Sequence, residues 1–119
     1  MDDFNKILEL AKEKKPSNNL HKHAQVVVAL STSGNIYHKV INNPLTEELI
    51  DENSFISELI ANQDIQIDKM VCLWANGCVD LLSYNFRKLL CATNSLNGET
   101  KMLLQGYNGY IVKTLSQTL

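Results

Sequence analysis

No hydrophobic run in this chain approaches the roughly 20 residues needed to cross a bilayer, and its 119 residues carry a formal charge of −2. The first absence argues against a membrane partner. The second removes the clustered Lys and Arg that a nucleic-acid backbone demands. The one basic run, Lys12 to Lys15 interrupted by Glu13, sits at an expected helix end, where cations complement the dipole. Met1-Asp2-Asp3-Phe4 places acidic residues where a secretory signal is positive, which predicts a soluble, cytoplasmic protein. Cys72, Cys78 and Cys91 form no close pair, and an odd count in an unsecreted chain argues against a disulfide framework. Internal repeats, low-complexity tracts and linkers are also missing. With 45% hydrophobic and 20% charged residues the composition is that of a folded protein, and residues 1–119 read as one domain.

What is present alternates regularly. Phe4, Ile7, Leu8 and Ala11 have helical spacing over residues 2–14, and Pro16-Ser17-Asn18-Asn19 ends that helix. Val26-Val27-Val28-Ala29-Leu30 suits a strand covered on both faces, and Ser31 to Asn35 turns the chain into a partner strand, Ile36 to Ile41. After Asn42-Asn43-Pro44, Thr46 is expected to cap a helix with Glu47 and Glu48 in its first turn and Leu49, Phe55, Ile56, Leu59 and Ile60 as its apolar stripe. The stretch from Ile65 to Trp74 contains the next strand, with Met70 to Trp74 as its buried part, then come a loop with Cys78 and a helix carrying Phe86, Leu89 and Leu90. Two short strands, 102–104 and 110–112, flank Gly106-Tyr107-Asn108-Gly109, which is a hairpin turn in that setting rather than a phosphate cradle. Thr114 is placed to cap a last helical turn. A hairpin followed by helical crossovers predicts an α/β sheet with parallel neighbours and helices on its faces.

Thr32-Ser33-Gly34-Asn35-Ile36 in the first hairpin, Ile41-Asn42-Asn43 after it, and the tail Thr100 to Leu104 with Tyr110-Ile111-Val112-Lys113-Thr114-Leu115-Ser116 resemble the cytidine deaminase fold family over nearly the whole chain. That resemblance implies a three-layer α-β-α sandwich with a mixed five-stranded sheet. It also implies a site. Zinc deaminases carry a Cys or His with a Glu two residues later at one helix start, and Pro-Cys-x-x-Cys at another. Here the matching positions read Ile50-Asp51-Glu52 and Ser83-Tyr84-Asn85-Phe86. Glu52 matches the acid/base, whereas Ile50, Ser83 and Phe86 stand where the three ligands belong. Ile50 and Phe86 have no donor atom, and a Ser hydroxyl is a poor zinc ligand.

The expectation is therefore a protein without a cofactor, a non-catalytic binding or oligomerisation module that keeps a residual nucleoside or small-molecule pocket. His23, Asn42, Asn43, Cys78 and Tyr84 are the candidate pocket residues, and His21 shares a face with His23 in an extended segment. The alternative is an active nucleoside deaminase whose zinc is held by a rearranged set such as His23, Cys78 and Glu52. No nucleophile elbow of the Gly-x-Ser-x-Gly kind offers other chemistry. By analogy with the family, a homo-oligomer, dimer or tetramer, is expected, with residues 82–92 near its interface.

Overall fold

Five consecutive apolar residues from Val26 to Leu30 require cover on both sides, and this requirement shapes the computed structural model, which describes residues 2–17 and 23–119. Strand β1 (Gln25–Ser31) lies between β2 (Ile36–Ile41) and β3 (Ile67–Trp74), antiparallel to both. Strand β4 (Lys101–Gly106) pairs parallel with β3, and β5 (Gly109–Thr114) pairs antiparallel with β4. The sheet order is β2-β1-β3-β4-β5. Successive side chains of a strand point to opposite faces, so β1 feeds two cores. Val26 and Val28 join Val71, Leu73 and Leu103 against Phe4, Ile7, Leu8 and Ala11 of helix α1 (Asp2–Lys14). Val27 and Ala29 join Met70 and Cys72 against Phe55, Ile56 and Leu59 of α2 (Ile50–Ala61) and Phe86 and Leu90 of α3 (Tyr84–Thr93). The result is the expected three-layer α/β sandwich with a mixed five-stranded sheet.

Since β2 and β3 both oppose β1, they run in the same direction, and α2 carries the chain across β1 between them. Helix α3 then connects β3 to its parallel neighbour β4, which is the crossover the alternation predicted. The hairpin reading of residues 106–109 also matches the paired Gly106 and Gly109 at the ends of β4 and β5. At Gly106 a Cβ would lie 2.7 Å from the Gly109 carbonyl, so the turn admits no side chain there.

Two expectations need correction. Helix α2 starts at Ile50 rather than after Thr46, because Leu49 adopts a left-handed conformation (φ 54°, ψ 39°) that breaks the chain direction; its first-turn acids are Asp51 and Glu52. Thr46 instead donates its hydroxyl to the Asn43 carbonyl at 3.1 Å. Ile60, expected in the apolar stripe, is 57% exposed, because the buried face is set by Glu52, Phe55, Ile56 and Leu59. The last turn is a 3₁₀ segment, Ser116–Thr118. Thr114 does cap it, accepting from the Gln117 amide at 3.3 Å while Gln117 Oε1 accepts from the Thr114 amide at 2.8 Å, a reciprocal capping box. The end of the expected turn, residues 18 and 19, and His21 lie outside the described residues. Among the described residues no helix is long and apolar enough to cross a membrane.

A feature that the sequence did not announce fixes α3 to the sheet. Asn97, in a 3₁₀ turn at Ser95–Glu99, is fully buried. Its Oδ1 accepts from the Ile67 amide at 2.8 Å, and its Nδ2 donates to the carbonyls of Ile65 and Leu90 at 2.9 and 3.0 Å. One carboxamide thus joins the start of β3 to the last turn of α3. Asn97→Ala removes three bonds and strands buried backbone groups, so we expect a loss of about 2–4 kcal/mol in urea unfolding. A loss below about 0.5 kcal/mol, the level of an ordinary surface change, would contradict this role.

Candidate functional site

Gln25 pairs with Ile41 on one side and Trp74 on the other. The start of β1 and the ends of β2 and β3 therefore meet at one end of the sheet, and the loops leaving there lead to the starts of α2 and α3. Such an end, outside the carboxyl ends of strands, is where α/β sheets place ligands. It gathers the candidate residues from His23 to Phe86 in one region, though not in one pocket.

None of the three positions that the resemblance assigns to metal ligands offers a free donor atom. Ile50 is 69% exposed. Ser83 is the N-cap of α3, its Oγ accepting from the Phe86 amide at 3.1 Å. Phe86 is buried edge-on against Phe55, with ring centroids 6.0 Å apart and an interplanar angle of 83°. These residues do not fit a zinc ion: two side chains lack a donor, and the third uses its oxygen as a helix cap. Among the described residues no three His, Cys, Asp or Glu side chains come together as a metal site. His23 and Cys78 are both exposed, in contrast to buried Glu52.

Of the remaining candidates, Asn42 is tied down, its amide and Nδ2 donating to Asp51 Oδ2 at 2.8 and 3.3 Å. The half-exposed ring of Tyr84 is approached by the Arg87 guanidinium at 5.6 Å and the Lys88 ammonium at 5.4 Å from its centre. Arg87 itself is buried, with Nε donating to the Leu82 carbonyl at 3.0 Å and Nη1 to the Thr118 carbonyl at 2.6 Å. It anchors the C-terminal segment on α3.

Glu52 stands apart. Residues 52, 55, 56 and 59 form one helical face, so the carboxylate occupies the first position of an apolar stripe and is only 2% exposed. That phase was legible in the sequence; its dipole-friendly place in the first turn hid it. Glu52 Oε2 is buried without a hydrogen-bond partner. Burial raises the Glu52 pKa above the usual carboxylate value, its own backbone N–H offsets part of this, and the charge of Asp51 raises it further. Asp64 shows the opposite outcome. Burial would raise it too, but hydrogen bonds from Asn35, Ser31, Tyr37 and Ser33 outweigh burial and hold it below its usual value.

Beside Glu52 lies a cavity of about 230 Å³ lined by Asn43, Thr46, Glu48, Ile50, Asp51 and Glu52. Of the pocket residues expected from sequence it includes Asn43; His23, Asn42, Cys78 and Tyr84 are outside its lining. Sequence reading did not single out Glu48 for it. Leu49, in its left-handed conformation, offers no side-chain cap to the helix start, so the first amides of α2 have no side-chain cap from that residue.

A raised carboxyl contributes stability that is complete below its unfolded pKa, about 4.3, and lost as pH rises through the folded value. Ionised Glu52 therefore weakens the fold at neutral pH. Glu52→Gln should raise the melting temperature at pH 7 by a few degrees, with the gain shrinking toward pH 4. A variant less stable than wild type at pH 7, or a gain that grows on acidification, would refute this account.

No family model and no curated protein matches the chain. Solved structures do. Cytidine deaminase from Mycobacterium leprae superposes with a TM-score of 0.70 at 22% identity, covering 98% of this chain and 96% of that one. The Mycobacterium tuberculosis enzyme gives 0.68 at 17% identity, with 98% and 94% covered, and that of Bacillus anthracis 0.64 at 16%, with 97% and 82% covered. At such identities the likeness is one of fold, and this chain has the fold of the cytidine deaminases from end to end.

Proposed function

We propose that this chain is a non-catalytic protein on the cytidine deaminase fold, a binding and oligomerisation module that keeps a residual pocket for a nucleoside or similar small molecule at the start of α2. The observation that carries this reading is the fate of the three ligand positions: a solvent-facing aliphatic, a helix cap and a core aromatic. Hydrolytic deamination of this type depends on a metal that lowers the pKa of water, and the residues placed to hold it supply no free donor. The alternative, an active deaminase with a rearranged zinc site, has Glu52 in its favour, a buried carboxyl in the acid/base position with a raised pKa. It lacks a donor set. Metal analysis and turnover separate the two: the purified chain should hold no stoichiometric zinc and form no uridine from cytidine above background. One zinc per chain, or measurable turnover, overturns the proposal.

The oligomer belongs to the same proposal. Helix α3 exposes Tyr84 and, with the segment before α2, forms an open groove lined by Leu49, Leu89 and Ala92 between Glu47 and Lys88. Such a surface suits a second copy of the chain with α3 near the interface. Light scattering should give a mass of two or four times 13.4 kDa at micromolar concentration. A monomer at that concentration would exclude it.

A further inference from the structure

The cavity at the start of α2 has an unbalanced wall. Glu48, Asp51 and Glu52 line it together with Asn43, Thr46 and Ile50, and no Lys, Arg or His is among the lining residues. A helix N-terminus attracts acidic residues in general, but its dipole amounts to only about half a positive charge. It does not balance three carboxylates. Nor does it account for Glu52, which is 2% exposed with Oε2 unpartnered. A carboxylate buried beside another either takes up a proton or takes a cation as partner.

The form of that cation follows from the spread of the acceptors. No three acidic, His or Cys side chains among the described residues converge closely enough to hold a metal ion, so a point charge cannot serve them all. A cation whose charge and N–H donors are themselves spread out can. Asn42 holds Asp51 through Oδ2 and leaves Oδ1 for another donor. Thr46 gives its hydroxyl proton to Asn43, so its lone pairs remain as acceptors. The space suffices: the cavity measures about 230 Å³, and one water occupies about 30 Å³ of liquid.

We propose that this cavity binds a small molecule through a guanidinium or amidinium group, with the carboxyls of Glu52, Glu48 and Asp51 as the acceptors. The assignment rests on reading this site as a binding pocket and specifies the charge of its ligand. The wall selects for a cation rich in donors. It disfavours phosphates and carboxylates, which would meet three like charges.

Acetamidinium chloride titrated into the full chain, followed by amide shifts of residues 43–53 in ¹H–¹⁵N spectra, tests this. Shifts should saturate, and Glu52→Gln, which keeps the shape but loses the charge, should weaken binding by about tenfold or more. Tetramethylammonium chloride, equally charged but without N–H donors, should leave these amides unmoved. Should Glu52→Gln fail to fold, Glu48→Gln decides, since Glu48 is exposed; it should weaken binding by about two- to threefold. Shifts that do not saturate, an equal response to tetramethylammonium, or wild-type affinity in the deciding variant would overturn the proposal. Failure here leaves the non-catalytic reading intact, whereas zinc or cytidine turnover would overturn that reading whatever the cation titration shows.

Discussion

Strand β1 is hydrogen-bonded along both edges and apolar on both faces, so it can exist only with a strand on either side and a helical layer above and below. Its alternation distributes Val26 and Val28 to the α1 core and Val27 and Ala29 to the core under α2 and α3. Pairing both neighbours antiparallel makes β2 and β3 leave the sheet at the same end. The starts of α2 and α3 follow from that geometry and lie above one sheet end. The site region is thus a consequence of how the central strand is buried.

Within that region the two helices are joined by apolar contact. Phe86 meets Phe55 edge-on, an arrangement worth roughly 0.5–1.5 kcal/mol beyond the area it buries. Ser83 caps α3, a contribution typically of about 1 kcal/mol. Helix α3 is further fixed by Asn97 behind it and by Arg87 over the C-terminal turn.

Glu52 runs against this economy. Asp64 shows how the fold treats a buried carboxylate that serves structure: Asn35 Nδ2 and the Tyr37 hydroxyl donate to it at 3.0 and 2.9 Å, and its pKa falls. Glu52 has a raised pKa, an orphaned oxygen and a left-handed Leu49 three residues before it. Unsatisfied polar groups and backbone strain of this kind lower stability and cluster where proteins bind or react. Their coincidence with a small acidic cavity is what supports a binding role for the start of α2.

The sequence by itself determined the order of elements and the fold class, because hydrophobic periodicity is a local property: Phe4, Ile7, Leu8 and Ala11 define α1, and the run from Val26 to Leu30 defines a doubly covered strand, whatever surrounds them. It also determined which side chains stand at residues 50, 52, 83 and 86. What these side chains do was decided by the tertiary structure. The start of α2 moved to Ile50 because Leu49 turns left-handed, which no propensity specifies. Asn97 reads as a turn residue until Ile65, Ile67 and Leu90, distant in sequence, converge on its carboxamide. The helical phase of Glu52 could be read from residues 52, 55, 56 and 59, but its missing partner could not. Whether a buried carboxylate is satisfied depends on groups that only folding brings near.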